Sequence, residues 1–195
     1  VSMAYEQGKA FYIPFGHEDP DTPQLKEKIV LKKLKPFLEK AKNKIIGQNI
    51  KFDRNILARY GIKIDSIKND TMMMSYVLDA SATRHNLDAL SSFYLNYKTS
   101  TFEEVAGKGT KQVTFDKVPL DKATHYAAED ADITLRLYEA LEPKLNSIKP
   151  LKKLMEEIEI PLIEVLSDME QNGMLLNSKI LSSQSKDLEL SLIHI

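Results

Sequence analysis

Gly47-Gln48-Asn49-Ile50-Lys51-Phe52-Asp53 is the stretch on which the fold turns. Just before it, Lys44-Ile45-Ile46 is an apolar, β-branched run. Just after it, Ile50, Ile56, Leu57 and Tyr60 recur at helical spacing, and Gly61 follows as a stop. A strand, a glycine and a helix start in succession put Asn49 or Asp53 at the junction. In open α/β sheets that junction faces the space beyond the strand end, where ligands bind. An Asp at a helix start is ordinarily a cap, so position alone does not make Asp53 functional.

A second stretch changes the weight of the first. In Tyr126-Ala127-Ala128-Glu129-Asp130 the Tyr and the second acid lie four apart, and on a helix they share one face. Such a pair alone is ordinarily a surface or core-edge feature. Together, Asp53 and Asp130 offer hard carboxylate oxygens of the kind divalent cations take, with Tyr126 beside them. We expect the two aspartates to converge on a divalent-metal site.

Composition sets the bounds. The 195 residues are 43% hydrophobic, enough for a substantial core. Lys and Arg number 27 against 28 Asp and Glu, so the net charge of -1 is no global sign of nucleic-acid binding, although a local basic groove is compatible with it. The chain has no Cys, which excludes disulfides and thiolate metal sites. No apolar run is long enough to span a membrane, and no signal-peptide pattern opens the chain.

Outward from the key stretch, 1–5 and 10–15 read as a hairpin about Gln7-Gly8, with Pro14 ending the second strand. His17-Glu18-Asp19-Pro20-Asp21 reads as a solvated loop. Thr22-Pro23 should start a helix whose inner face is Leu25, Ile29, Leu34, Phe37 and Leu38, perturbed at Pro36. Ile62-Lys63-Ile64 alternates as a short strand should. Asp70 should cap a helix through Met72, Met73, Tyr76, Val77 and Leu78, with the three methionines as core filler. Another helix carries Leu87, Leu90, Phe93 and Tyr94. Gly107-Lys108-Gly109 lacks the full phosphate-loop pattern and reads as a surface loop. Pro119-Leu120 opens a long helix, Pro143 and Pro150 mark its end and a linker, and a last helix stops at Asn172-Gly173.

With these motifs in hand the chain resembles a known family. Gly47-Gln48-Asn49-Ile50-Lys51-Phe52-Asp53-Arg54 resembles the second exonuclease motif of bacterial family A DNA polymerases, and Tyr126-Ala127-Ala128-Glu129-Asp130-Ala131-Asp132 the third, in its tyrosine form. Asp70-Thr71-Met72, Arg84-His85 and the segment from Thr101-Phe102-Glu103-Glu104 to Gly107-Lys108-Gly109 match in order between them. The resemblance runs over about 1–186. It implies an α/β, RNase H-like (DnaQ-like) 3′–5′ exonuclease fold, a mixed sheet flanked by helices, over 1–148. It implies the first helix of a polymerase domain over 149–189. The family's first motif, Asp-x-Glu on an early strand, should precede Val1, so we expect the first strands, and half the metal ligands, to be missing. Residues 190–195, Leu-Ser-Leu-Ile-His-Ile, break the helical pattern and match a translated sequencing adapter; a natural amphipathic end is the other reading.

The resemblance further implies removal of terminal nucleotides from single-stranded DNA 3′ ends, a proofreading step in replication and repair. Two Mg²⁺ ions about 4 Å apart would serve it, with Mn²⁺ or Zn²⁺ also admissible. Asp130 would bind the metal that activates water, Asp53 the second, and Tyr126 would orient the water. Gln48, Asn49 and Arg84 would contact DNA at phosphates, and Phe52 and Phe102 would pack on sugars or bases. The polymerase domain of the same chain would be the partner, in a monomer of the bacterial cytoplasm, associated with the nucleoid. This stretch alone should be nearly inactive. Two alternatives stand: an exonuclease-like scaffold that has lost catalysis, and an RNase D-like RNA exonuclease.

Overall fold

A computed structural model of the chain describes residues 1–18, 24–40, 42, 44–64 and 66–193. Strands β1 (Ser2–Glu6) and β2 (Lys9–Tyr12) form the expected antiparallel hairpin, with Met3 opposite Phe11. Gly8 turns the tip at a φ of +74°, a conformation that suits glycine. The tip is tied down, because the Gly8 N–H donates to Asp132 at 2.6 Å and the Gln7 side-chain amide to Glu139.

Helix α1 (Glu27–Leu38) follows; the expected start at Thr22-Pro23 lies outside the described residues. Val30, Leu34 and Leu38 are its buried stripe, whereas Leu25, Ile29 and Phe37, expected inside, are exposed. The stripe is set by what it packs on, Ile62 with Val1, Met3, Ile13 and Phe15 around it. Pro36 does not break the helix. It lies in the last turn, where its missing N–H removes one hydrogen bond and no further turn has to follow.

Strands β3 (Ile45–Gly47) and β4 (Ile67–Asp70) pair in parallel with Gly47 opposite Asp70. The helix between them, α2 (Ile50–Ala58), and the helix after them, α3 (Thr71–Leu78), therefore both start at the same edge of the ladder. The expected strand at 62–64 is absent: Ile62 and Ile64 are both buried, but pairing with β3 begins only where Ile45 N–H meets the Ser66 carbonyl. Among the described residues the strands make two two-stranded ladders rather than one mixed sheet, in a helix-rich α/β fold.

The rest is helical. Helix α4 (Leu87–Leu90), capped by Asn86, runs into a π-helical turn, Ser91–Leu95, in which Phe93 points to solvent. Helix α5 (Phe102–Ala106) opens with a capping box, Thr101 and Glu104 bonding each other's backbone N–H. Helix α6 (Leu120–Ser147) is the spine of the molecule. Its Leu141 and Leu145 pack with Met74 and Met155, its Ile133 and Leu137 with Leu90, and its Ala123 with Ala106 and Val118. Pro143 lies near the end of α6, as expected, but no linker follows: Ile148 alone separates α6 from α7 (Lys149–Leu154), whose first turn holds Pro150. A π-helical turn, Met155–Glu159, leads into α8 (Ile160–Asn172), which stops at Gly173 with a φ of +67°. Helix α9 (Ser178–Ile193) runs through 190–193, so the expected break in helical pattern there is not formed. Among the described residues no helix is long and apolar enough to cross a membrane.

Candidate active site

The β3–α2 junction is built for close approach. A Cβ on Gly47 would stand 2.7 Å from the Ile50 Cβ, so a side chain there would push the start of α2 away. Asn49 is in the left-handed region (φ 58°, ψ 47°), an accessible conformation for Asn. That turn aims two backbone N–H groups at one carboxylate: Asn49 and Ile50 donate to Asp70 at 3.1 and 2.7 Å. The same Asp70 caps α3 by accepting from Met72 and Met73. One buried acid thus fixes both helix starts, as the sequence expected only for α3.

Asp53 lies one turn into α2, beside Phe52, which is 61% exposed. Its carboxyl is pushed up to about 6, first by loss of hydration and then by the Asp70 charge, with the Val1 amino group acting the other way. The residue reaches solvent. Water at that exposed side chain screens the displacement, so its direction is what the geometry supports. Gln48 is engaged within the protein: its amide donates to the His85 carbonyl at 2.9 Å and accepts from the Thr71 hydroxyl. Asn49 and Arg84, which neighbour those groups in the chain, are exposed.

On α6 the Tyr126 hydroxyl and the Asp130 carboxyl share one face, a turn apart, and influence each other. The Asp130 carboxyl is pushed up to about 7 by burial, and by Asp88 and Glu129, against the pull of the Tyr126 hydroxyl. Burial, then the Asp130 charge, drives the Tyr126 hydroxyl strongly upward, so it stays protonated at neutral pH. Phe102 and Phe115 stand against the Tyr126 ring with centroids 6.2 and 5.9 Å away. The wall continues to His17, 5.7 Å from Phe115, whose Nε2 meets the Tyr12 hydroxyl at 2.7 Å. His17 is therefore half-buried in an aromatic wall, not a solvated loop residue. Phe115 and Asp88 escaped the sequence reading. Phe115 follows an irregular segment with no periodicity, and Asp88 looks like any acid in a first helical turn.

The predicted residues thus fall into two groups. Tyr126, Asp130 and Phe102 are together, and so are Gln48, Asn49, Phe52 and Asp53, with Arg84 beside the His85 that Gln48 holds. The acids that raise Asp130 are Asp88 and Glu129, and the acid that raises Asp53 is Asp70. Among the described residues no three His, Asp or Glu side chains gather closely enough to hold a metal. The donors fit a hard divalent cation in kind: two carboxylates with raised pKa and no Lys or Arg among the groups that set them. They fit it in number only as part of a ligand set.

This α/β scaffold, with a strand-end carboxylate and a helix-borne Tyr–Asp pair, belongs to the 3′–5′ exonuclease family, whose model matches residues 1–146. Within that family the match is to the exonuclease domain of DNA polymerase A. The chain is 46% identical over 191 residues to DNA polymerase I of Pseudomonas aeruginosa, covering 96% of this chain and 21% of that protein. It is 40% identical over 188 residues to DNA polymerase I of Rhizobium leguminosarum, covering 96% and 18%. The chain thus spans about a fifth of the length of the curated relatives it matches. Among solved structures, the POL domain of Pol1 from M. smegmatis, in complex with DNA primer-template and dNTP, superposes with a TM-score of 0.64 at 20% identity, over 87% of this chain and 25% of that one. That likeness concerns the fold alone.

Proposed function

We propose that this chain is the proofreading exonuclease region of a DNA polymerase I, and that it trims nucleotides from single-stranded DNA 3′ ends in the bacterial cytoplasm. The observation that carries this reading is the Tyr126–Asp130 pair on one face of α6, with the Tyr126 ring set in an aromatic wall of Phe102 and Phe115 and the Asp130 carboxyl raised by burial. Asp130 and Asp53 would hold divalent cations, Mg²⁺ in the first instance. Bound there, the cations would supply an activated water and neutralise charge on the phosphoryl oxygens. Tyr126 orients the water through its hydroxyl. Phe102 and Phe52 pack against sugar or base, a sequence-tolerant contact suited to any terminal nucleotide. Asn49 and Arg84 meet the phosphates, and Gln48 shapes the junction through its bonds to His85 and Thr71.

The polymerase domain continues from 149 onward in this reading, with α7 to α9 as its entry. Because two carboxylates are not a full ligand set, the 195-residue chain by itself should be nearly inactive on DNA. The test is excision from a 3′-labelled single-stranded oligonucleotide by the chain extended to the length of its relatives. Asp130→Asn and Asp53→Asn should each abolish Mg²⁺-dependent excision while primer extension continues. Excision that survives both substitutions would refute the reading.

A further inference from the structure

Helix α2 has a second face, and that face is gripped by α8. Arg54, next in the chain to Asp53, is only 7% exposed. Its guanidinium uses all three nitrogens: Nε donates to the Ser167 hydroxyl at 3.2 Å, one terminal nitrogen to the Ile64 carbonyl at 3.2 Å, the other to Glu164 at 3.0 Å. Ser167, fully buried, passes the contact on by donating to Asn55 Oδ1 at 2.6 Å. Asn55 donates in turn to Glu170 at 2.7 Å, and Lys51 pairs with the same Glu170. Beneath this polar layer Ile50 and Ile64 pack on Ile163.

The elements joined in this way lie on opposite sides of the end of the family match. Helix α2 lies within the 1–146 stretch that the exonuclease family model matches, and α8 lies outside it. A buried arginine left without partners is costly, and its planar fork tolerates little displacement. Each bond to α8 therefore constrains the rotation of α2 about its own axis. Because Asp53 precedes Arg54 on the same turn, that rotation sets where its carboxylate points.

We propose that Arg54 is a positioning residue: through Ser167 and its neighbours, α8 sets the orientation of α2 and so presents Asp53 to the metal site. The polymerase-side helix is then a structural component of the exonuclease site rather than a passive continuation of the chain. The metal part of this proposal rests on the reading of Asp53 as a ligand. The orientation of α2 does not.

The test uses the full 195-residue chain, unchanged and with Ser167→Ala, which removes the hub at little cost in volume. Arg54→Met serves as a second variant that keeps the aliphatic length. Two quantities are read by NMR: hydrogen exchange of the α2 amides, and the Mn²⁺ concentration that broadens the Asp53 amide. The proposal expects α2 amides to exchange about tenfold faster in Ser167→Ala, with those of α3 unchanged. It expects the Mn²⁺ concentration needed at Asp53 to rise about threefold or more. Unchanged exchange in both variants would overturn the proposal. Faster exchange with an unchanged Mn²⁺ response would overturn the positioning role and leave Arg54 as packing alone. If Mn²⁺ broadens neither Asp53 nor Asp130 in the unchanged chain, these two carboxylates do not hold the cation by themselves, and the exchange comparison alone decides whether α8 orients α2.

Discussion

The carboxylate of Asp70, at the foot of α3, accepts the backbone N–H of Ile50, at the start of α2, at 2.7 Å. Asp70 is 1% exposed and takes three further N–H groups, those of Asn49, Met72 and Met73. Removing it deprives two helix starts of their acceptor. Asp70→Ala should therefore cost about 2 kcal/mol or more of folding stability, read as a lowered midpoint in urea. A cost below about 0.5 kcal/mol would show that water replaces the carboxylate.

Gly47 supports the same junction by absence of a side chain. Its Cβ would meet Ile50 at 2.7 Å, closer than real carbon atoms come. Gly47→Ala should destabilise the chain by about 1–3 kcal/mol. It should also shift the amide resonances of α2 more than those of α6. Equal stability of the two proteins would mean that Ile50 moves aside freely.

The raised carboxyl at Asp130 carries a definite pH signature. Its folded value, about 7, lies above the ordinary 3.8, so the folded state binds this proton more tightly than the unfolded state. Stability from this group is present at acid pH and is lost as pH rises through about 7. Asp130→Asn removes the charge and keeps an oxygen for the Tyr126 hydroxyl. The variant should melt higher than the parent at pH 8, with the difference closing as pH falls toward 4 (roughly the unfolded value). Other titrating groups cancel in that difference. A variant less stable than its parent at pH 8 would contradict the assignment.

Tyr126→Phe tests the pair from the other side. The hydroxyl favours the ionised carboxylate, so its removal should move the Asp130 titration further upward. Carbon-13 chemical shifts of the Asp130 carboxyl would report it. A titration that moves down or stays in place would mean the two side chains do not influence each other in solution.

Much of this was legible in the sequence because local rules and burial agreed. Gly61 and Gly173 stop helices at positive φ, Thr101 and Glu104 make their capping box, and Asp70 caps α3. The failures came where tertiary contact overrode local pattern. Leu25, Ile29 and Phe37 fit a helical stripe, yet the hairpin and Ile62 selected Val30, Leu34 and Leu38 instead. Ile62 and Ile64 alternate like a strand because both are buried, but the hydrogen-bond partner is reached three residues later, at β4. Pro150, expected in a linker, instead sits in the first turn of α7. At the site, spacing alone placed Tyr126 and Asp130 on one face, and both lie on the same helix, α6. Nothing local revealed that Asp70 would span to Asn49 and Ile50, or that Phe115 and His17 would extend the aromatic wall, since those contacts join distant segments.

The central claim is that Asp53 and Asp130 serve one metal-dependent site although each has its own charged neighbours. The direct measurement is anomalous scattering from crystals of the chain, extended to the length of its relatives, grown with millimolar Mn²⁺. The account predicts manganese in contact with Asp130 and, directly or through water, with Asp53. Manganese bound elsewhere, or at one aspartate with the other turned away from it, would contradict the account.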